Sequence, residues 1–301
     1  MKLMKACIAG LALVGLGTPA ALAAGGTMPL EKGDTPLPDW EFDGIFGKYD
    51  KNAVQRGFQV YVEVCAACHG MELMSYRNLG EPGGPFYNPD DPELTDALVK
   101  EFAAQYMVDE VDDFGDTVQR PARPSDKFVS PYPNVQAASA ANGGAAPPDF
   151  SVIVKARTGG ADYIYRLLTG YPDAEEFDSE NRLHFDDDHS HGVLTQPAGL
   201  YYNPYFAGDT GGNWEGDPRH KPPGGYLAMP PQLSDFRVEY ADGTPPTKEQ
   251  LASDVAHFLA WASEPKLENR TSLGMAVMIY LFFLALLVYF SYKQIWRNVE
   301  H

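Results

Sequence analysis

The chain has 301 residues, with 23 Lys and Arg against 41 Asp and Glu, and a formal net charge of −18 at pH 7. That balance argues against a chain whose overall charge holds it to nucleic acid or to anionic lipid, since like charges repel. It leaves two readings: acidity that confers solubility, or an acidic face that attracts a basic partner at a salt-dependent rate.

At the N-terminus Lys2 and Lys5 flank the start of an apolar stretch from Ala6 to Gly17, and Ala21-Leu22-Ala23 has the small-residue pattern of a cleavage site. Residues 1–23 therefore read as a secretory signal peptide, too short and Gly-rich for a membrane span. Cys7 lies inside it, so the mature chain keeps two of the three cysteines, Cys65 and Cys68. Asp43 to Tyr49 is a lead-in. From Lys51, the residues Phe58, Tyr61, Val62 and Cys65 fall at helical spacing, although the alternation of Phe58, Val60, Val62 and Val64 would suit a strand.

Cys65-Ala66-Ala67-Cys68-His69 decides for a helix. Two thiols three positions apart on a turn each add to one vinyl group of a single haem, and the next histidine presents its imidazole to the iron. A structural zinc site would need further ligands, which only histidines could supply. A thioredoxin-like pair wants a βαβ context and does not require the trailing histidine. The motif thus reads as one haem c, covalently bound through Cys65 and Cys68. Export agrees, because thioether attachment in bacteria takes place outside the cytoplasmic membrane.

Asn78 to Asp91 is rich in Gly and Pro and predicts a loop. Pro92 to Tyr106 predicts a helix, with Leu94, Leu98, Phe102 and Tyr106 down one face. Asp109 to Asp116 reads as a solvated acidic loop. Arg120 to Pro148 is a Pro, Ala and Asn-rich connection of the length that wraps a ligand. Short helices are expected at Ser151–Arg157 and Ala161–Thr169, broken by Gly159-Gly160. Pro172 to Pro197 is acidic, with few large apolar residues, and reads as a surface excursion of unassigned role. Within it Asp186, Asp187, Asp188, His189 and His191 carry metal-donor atoms, but a solvated charged loop is the favoured reading. Tyr201 to Gly225 is a Gly, Pro and aromatic-rich loop running into Ala228-Met229-Pro230-Pro231. Thr247 to Ala262 predicts an amphipathic helix on Leu251, Val255, Phe258 and Leu259.

Leu273 to Tyr292 carries no charge and, at 1.5 Å per residue, crosses about 30 Å. Residues 271–293 therefore read as a transmembrane helix, 24–270 as a periplasmic domain and 294–301 as a cytoplasmic tail. Lys293 and Arg297 follow the span, but Lys266 and Arg270 precede it, so the orientation rests mainly on the signal peptide.

A haem on His69 takes a second axial ligand or leaves an open position. Met71 and Met74 follow His69 too closely to reach the other face, and Met107 reads as core. Met229 is far from His69 in sequence, and the proline after it puts it in an extended strap. Ligation by His184, His220 or His257 stays open on local evidence. A thioether ligand would favour Fe(II) and raise the potential.

The segments RGFQVYVEVCAACHG from Arg56, ANGGAAPPDFSVIVKARTGGADYIYRLLTGY from Ala141, GLYYNPYFAG from Gly199, AMPP from Ala228 and DVAHFLAWASEPK from Asp254 together resemble cytochrome c1. That family supplies the haem c subunit of the cytochrome bc1 complex, quinol–cytochrome c oxidoreductase. The resemblance spans most of the mature chain in the family's order. It implies a mainly α fold: a cytochrome c-like haem core with long loop insertions, plus one C-terminal transmembrane helix. It implies His69 and Met229 as axial ligands and Arg157 paired with a haem propionate. Asn142, Pro147, Pro148, Tyr163, Leu167, Leu168 and Phe206 would line the pocket. A guanidinium can indeed fork onto a carboxylate, and prolines make a dry wall without unpaired N–H groups.

The implied activity is a redox subunit of that enzyme, with no bond chemistry on this chain. It would take one electron from the Rieske iron–sulfur protein and pass it to a basic cytochrome c, soluble or membrane-anchored. Cytochrome b would be a neighbour within a dimeric complex in the bacterial inner membrane. Two rivals differ in class. One is a free-standing, membrane-anchored monohaem shuttle, which would purify without cytochrome b. The other is a haem enzyme or gas sensor with an open distal site. The stretches 172–197 and 207–227 are longer and more acidic than in mitochondrial members. Some bacterial members carry a disulfide there, and no cysteine is spare for one, so what rigidifies the loop before Met229 is left open.

Overall fold

The computed structural model describes residues 36–186 and 191–298. The signal-peptide expectation, and Asp187, Asp188 and His189 of the acidic stretch, fall outside those residues. Among the described residues no cluster of His, Cys, Asp or Glu is arranged to hold a metal ion.

The haem-motif helix forms where periodicity and capping agree. The Asp50 carboxylate accepts the N–H groups of Asn52 and Ala53, opening α1 (Lys51–Val60). Ala53, Val54, Gly57, Phe58 and Val60 are its buried face. Helix α1 then runs directly into a π-helical turn, Tyr61–Cys65. The wider turn re-aims the chain as it delivers the two cysteines, a use typical of π-bulges. Helix α5 (Lys248–Ser263), capped by Thr247 on the Gln250 N–H, is buried nearly all round. Both α1 and α4 (Gly160–Thr169) pack on it. Val54, Val60, Tyr76, Leu79, Leu251, Val255, Phe258, Leu259 and Trp261 form the fully buried centre of one cluster. Phe58 joins the layers edge-on to Phe86, Phe102 and Phe258.

Several expectations are corrected. Helix α2 spans Pro92–Ala103, and its buried face is Thr95, Val99, Phe102 and Ala103. Leu94 and Leu98 are exposed; a stripe stepped strictly by four drifts off the true face, which is centred one residue on, where a threonine hides it. The acidic run 109–116 belongs to a hairpin, β1 (Met107–Val111) against β2 (Thr117–Pro121). Met107 is an exposed strand residue, not core. The connection 120–148 contains α3 (Val135–Ala141), and 151–157 is a series of turns rather than a helix.

The stretch 172–197 is not a simple excursion. Strands β3 (Arg182–Asp186) and β4 (His191–Thr195) pair antiparallel. Further on, β5 (Tyr201–Asn203) precedes β6 (Trp214–Gly216), which adds to β4 to give the order β3-β4-β6. A small second core of Leu183, Leu194 and Tyr202 lies under Phe177, Phe185, Trp214 and Tyr226. Its apolar residues come from separate segments, each too sparse to signal alone. Strand β7 (Gly225–Leu227) pairs with β5 and leads to the Met229 strap.

The β1–β2 hairpin is tied by Arg120, which donates to Glu110 Oε2 at 2.7 Å and to Asp126 Oδ2 at 2.5 Å. The Arg120 guanidinium, helped by the Arg123 N–H, holds the Asp126 carboxyl down at about 2. A carboxyl depressed in the folded state adds stability that is present above its unfolded value near 4 and lost as pH falls toward 2. Hydrogen-exchange protection of the β1–β2 amides should therefore decline across that window. Asp126→Asn should show the weakened protection at neutral pH.

Helix α6 (Leu267–Trp296) is 30 residues long and apolar enough to cross a membrane, with none of its side chains buried in the domain. About 40% of the described residues are helical, in line with the mainly α expectation.

Candidate functional site

The CxxCH turn is set by its own backbone. His69 N–H and Cys68 N–H both donate to Cys65 O, at 2.9 and 3.1 Å, which curls the pentapeptide so that the two thiols and the imidazole belong to one turn. Neither cysteine is in a disulfide, and both are half-buried. Burial pushes the Cys65 thiol up to about 12, with Cys68 adding to the shift. That is opposite to the lowered thiol of a thioredoxin-like pair.

His69 is buried, and its Nδ1 lies 2.8 Å from the carbonyl of Pro148. A carbonyl can only accept, so Nδ1 carries the proton and Nε2 keeps its lone pair. Burial pushes the imidazole below its ordinary value, against the opposing Pro148 contact, and so favours the neutral, ligating form. The ring stacks on Phe150 at 3.9 Å between centroids and 17° between planes. The Tyr61 hydroxyl donates to His69 O at 3.0 Å. The imidazole is thus oriented by Pro148 and Phe150, and its backbone is held by Tyr61, the support metal-binding histidines need.

The predicted residues fall into two groups. Around the motif, Asn142 Nδ2 donates to the Tyr132 hydroxyl at 3.1 Å and to Ala138 O at 2.7 Å, and the Tyr132 hydroxyl reaches Cys68 Sγ at 3.8 Å. Pro147, half-buried, precedes Pro148. The second group gathers on α4. Leu167 O accepts from Asn203 Nδ2 at 2.8 Å, and Asn203 O accepts from Phe206 N–H at 3.2 Å. Met229 O accepts from the buried Tyr171 hydroxyl at 2.9 Å. Tyr163, also on α4, meets Arg157: burial pushes the Tyr163 hydroxyl up while the adjacent Arg157 guanidinium opposes it. Among the described residues no hydrogen bond or ring contact joins His69 to Met229 directly.

The residues fit a haem. Leu167, Leu168, Phe206 and Met229 are large and apolar, yet each is only partly buried, as suits a wall for a flat apolar group. The donor set is two thiols, a neutral imidazole with a free Nε2 and one thioether. Two of the three histidine alternatives are otherwise engaged. His257 has Nδ1 at 2.9 Å from Ser253 O and Nε2 at 3.0 Å from Glu41. His184 Nε2 meets Asp178 at 2.8 Å on the small sheet, and His220 is exposed.

Sequence reasoning missed Phe150, Tyr132 and Tyr171. Aromatic residues next to a motif or after a helix carry no spacing signal of their own. Tyr171, with the β5–β7 pairing, answers what holds the Met229 loop without a disulfide.

A helical domain with one CxxCH turn above a single apolar helix has the form of a c-type cytochrome. The particular family is equally plain. The chain belongs to the Cytochrome C1 family, whose profile matches residues 40–299. It is 42% identical over 293 residues to cytochrome c1 of Rhodospirillum rubrum, covering 96% of this chain and 97% of that one. To the mitochondrial cytochrome c1 heme protein of Kluyveromyces lactis it is 38% identical, over 98% and 90% of the two chains. It also matches a protein named cytochrome b/c1 in Bradyrhizobium diazoefficiens, at 44% identity over 87% of this chain. The chain spans only 36% of that relative's length.

Proposed function

We propose that this chain is the haem c electron-transfer subunit of a quinol–cytochrome c oxidoreductase. It takes an electron from the Rieske iron–sulfur protein and passes it to a basic cytochrome c. The observation that carries the reading is the CxxCH turn with His69 locked by Pro148 and Phe150, in a chain of the Cytochrome C1 family. When bound, a haem supplies a one-electron Fe(III)/Fe(II) couple. Cys65 and Cys68 would hold it covalently, His69 Nε2 and the Met229 sulfur would ligate its iron, and Arg157 would pair with a propionate. Tyr171 holds the Met229 strap, and the half-buried apolar wall from Pro147 to Phe206 keeps water from the ring. The acidic surface steers the basic acceptor.

Relatives named as a cytochrome b/c1 and as a catalytic subunit of the cytochrome b-c1 complex support cytochrome b as the neighbour. The domain then lies on the periplasmic side of the bacterial inner membrane, held by α6. In isolated membranes, mixing with a quinol should reduce this chain rapidly, and depletion of the Rieske protein should abolish that reduction. Cytochrome b should co-purify. Reduction that persists without the Rieske protein, or purification free of cytochrome b, would favour the free-standing shuttle.

A further inference from the structure

The segment before α1 is fastened at both ends. Trp40 donates its Nε1–H to Asp162 of α4 at 2.5 Å and packs edge-on against His257 of α5. At the other end the Tyr49 hydroxyl donates to Ala260 O at 3.1 Å and Glu264 O at 3.2 Å. The Tyr49 N–H donates to Glu268 Oε1 at 3.1 Å, in the first turn of α6. The strap is therefore tied to the point where the domain meets its apolar helix.

Between these anchors the chain doubles back. Lys48 N–H donates to Glu41 O at 2.9 Å and Gly47 N–H to Gly44 O at 3.4 Å. Both glycines are required: Gly44 has φ +81°, and a Cβ on Gly47 would lie 2.0 Å from Phe42 O. The turn they make lifts Ile45 and Phe46 out of the domain, 68% and 74% exposed. Other exposed apolar side chains occur, but these two are adjacent in sequence, on a braced turn beside the anchor.

Their location names the partner. Glu268 precedes Leu273, where the uncharged run starts, by about 7.5 Å of helix rise. Phe46 is three residues from Tyr49, a reach of about 10 Å. The turn can thus meet the plane where α6 enters hydrocarbon. Lys48, two residues after Phe46, is exposed, whereas Lys266 and Arg270 at the base of α6 are ion-paired with Glu81 and Glu264. An exposed apolar pair beside the start of an apolar helix, with a lysine next to it, suits an interfacial membrane contact.

We propose that the Ile45–Phe46 turn inserts into the bilayer interface beside α6, as a second lipid contact that fixes how the domain stands on its anchor. It rests on α6 spanning the membrane. The test is site-directed spin labelling of the full chain in lipid nanodiscs, with the unsubstituted chain as background. A nitroxide on Phe46→Cys is compared with one on Leu284→Cys, within the apolar run, and one on Phe114→Cys, at the hairpin tip. The Phe46 label should relax more with oxygen, which partitions into lipid, than with a water-soluble nickel chelate. Nickel access equal to that at position 114 would overturn the proposal, and so would protection from both reagents, which marks a protein cover. Nickel access at position 284 would instead remove the membrane-spanning reading beneath it.

Discussion

Gly57→Ala will destabilise this protein, although in an open helix the same change is favourable by about 1 kcal/mol. Gly57 lies where α1 crosses α5, and a Cβ there would sit 1.9 Å from Asp254 O and 2.8 Å from Phe258 Cβ. The nearest atoms belong to helix backbone, so no rotamer change relieves the clash and the two helices must part. Overpacking of this kind costs about 3 kcal/mol at its upper range, equivalent to a fall in Tm of about 10 °C for a domain of this size. Gly212→Ala, where a Cβ meets nothing within 4 Å, is the control and should melt with the parent. Thermal unfolding followed by circular dichroism decides it: a Gly57→Ala protein as stable as the parent would mean that α1 and α5 do not touch this closely. The effect should reach the site, because α1 feeds straight into the CxxCH turn.

The second large effect lies at the same crossing. Arg56 donates Nε and Nη2 to the two oxygens of Asp254, each at 2.9 Å, and Nη1 to Asp242 at 3.0 Å. The Asp254 side chain is 1% exposed and that of Asp242 is 45% exposed. Removing one partner of a buried pair strands the other charge, at about 3–5 kcal/mol. Arg56 retains Asp242 and the face of Tyr240 at 5.7 Å, which places Asp254→Ala at about 3 kcal/mol, the low end. Asp242→Ala removes a solvated contact and should cost less than about 1 kcal/mol. Denaturant midpoints of the two variants test the ranking, and equal losses would contradict it. Replacing Arg56 and Asp254 together by apolar residues should recover part of the loss, since no uncompensated charge then stays buried.

What the sequence made legible follows from where its signals are local. The CxxCH turn, the α1 and α5 cores and the uncharged run of α6 each lie within one continuous segment, so the chain itself exposes them, with the CxxCH motif deciding helix over strand for α1. The small β-sheet was hidden because Leu183, Leu194, Tyr202 and Trp214 make one core from four separate pieces of chain. The hairpin at 107–121 was hidden because its acidic run signals a solvated loop, while the contact that ties it down, Arg120 joining Glu110 to Asp126, forms only across the strands. At the site, the histidine and the methionine could be named from the chain, but their supports could not. Phe150 against His69 and Tyr171 beneath Met229 are contacts that only the folded chain brings about.

Ligation of a haem by His69 and Met229 is the claim on which the functional reading turns. Potentiometric titration of the detergent-solubilised protein beside Met229→Leu tests it most directly. The expected result is a high midpoint potential in the parent that falls steeply in the variant, because a thioether ligand favours Fe(II) and leucine offers no donor. A low potential in the parent, or one indifferent to the substitution, would contradict the assignment and return the second axial position to a histidine or to an open site.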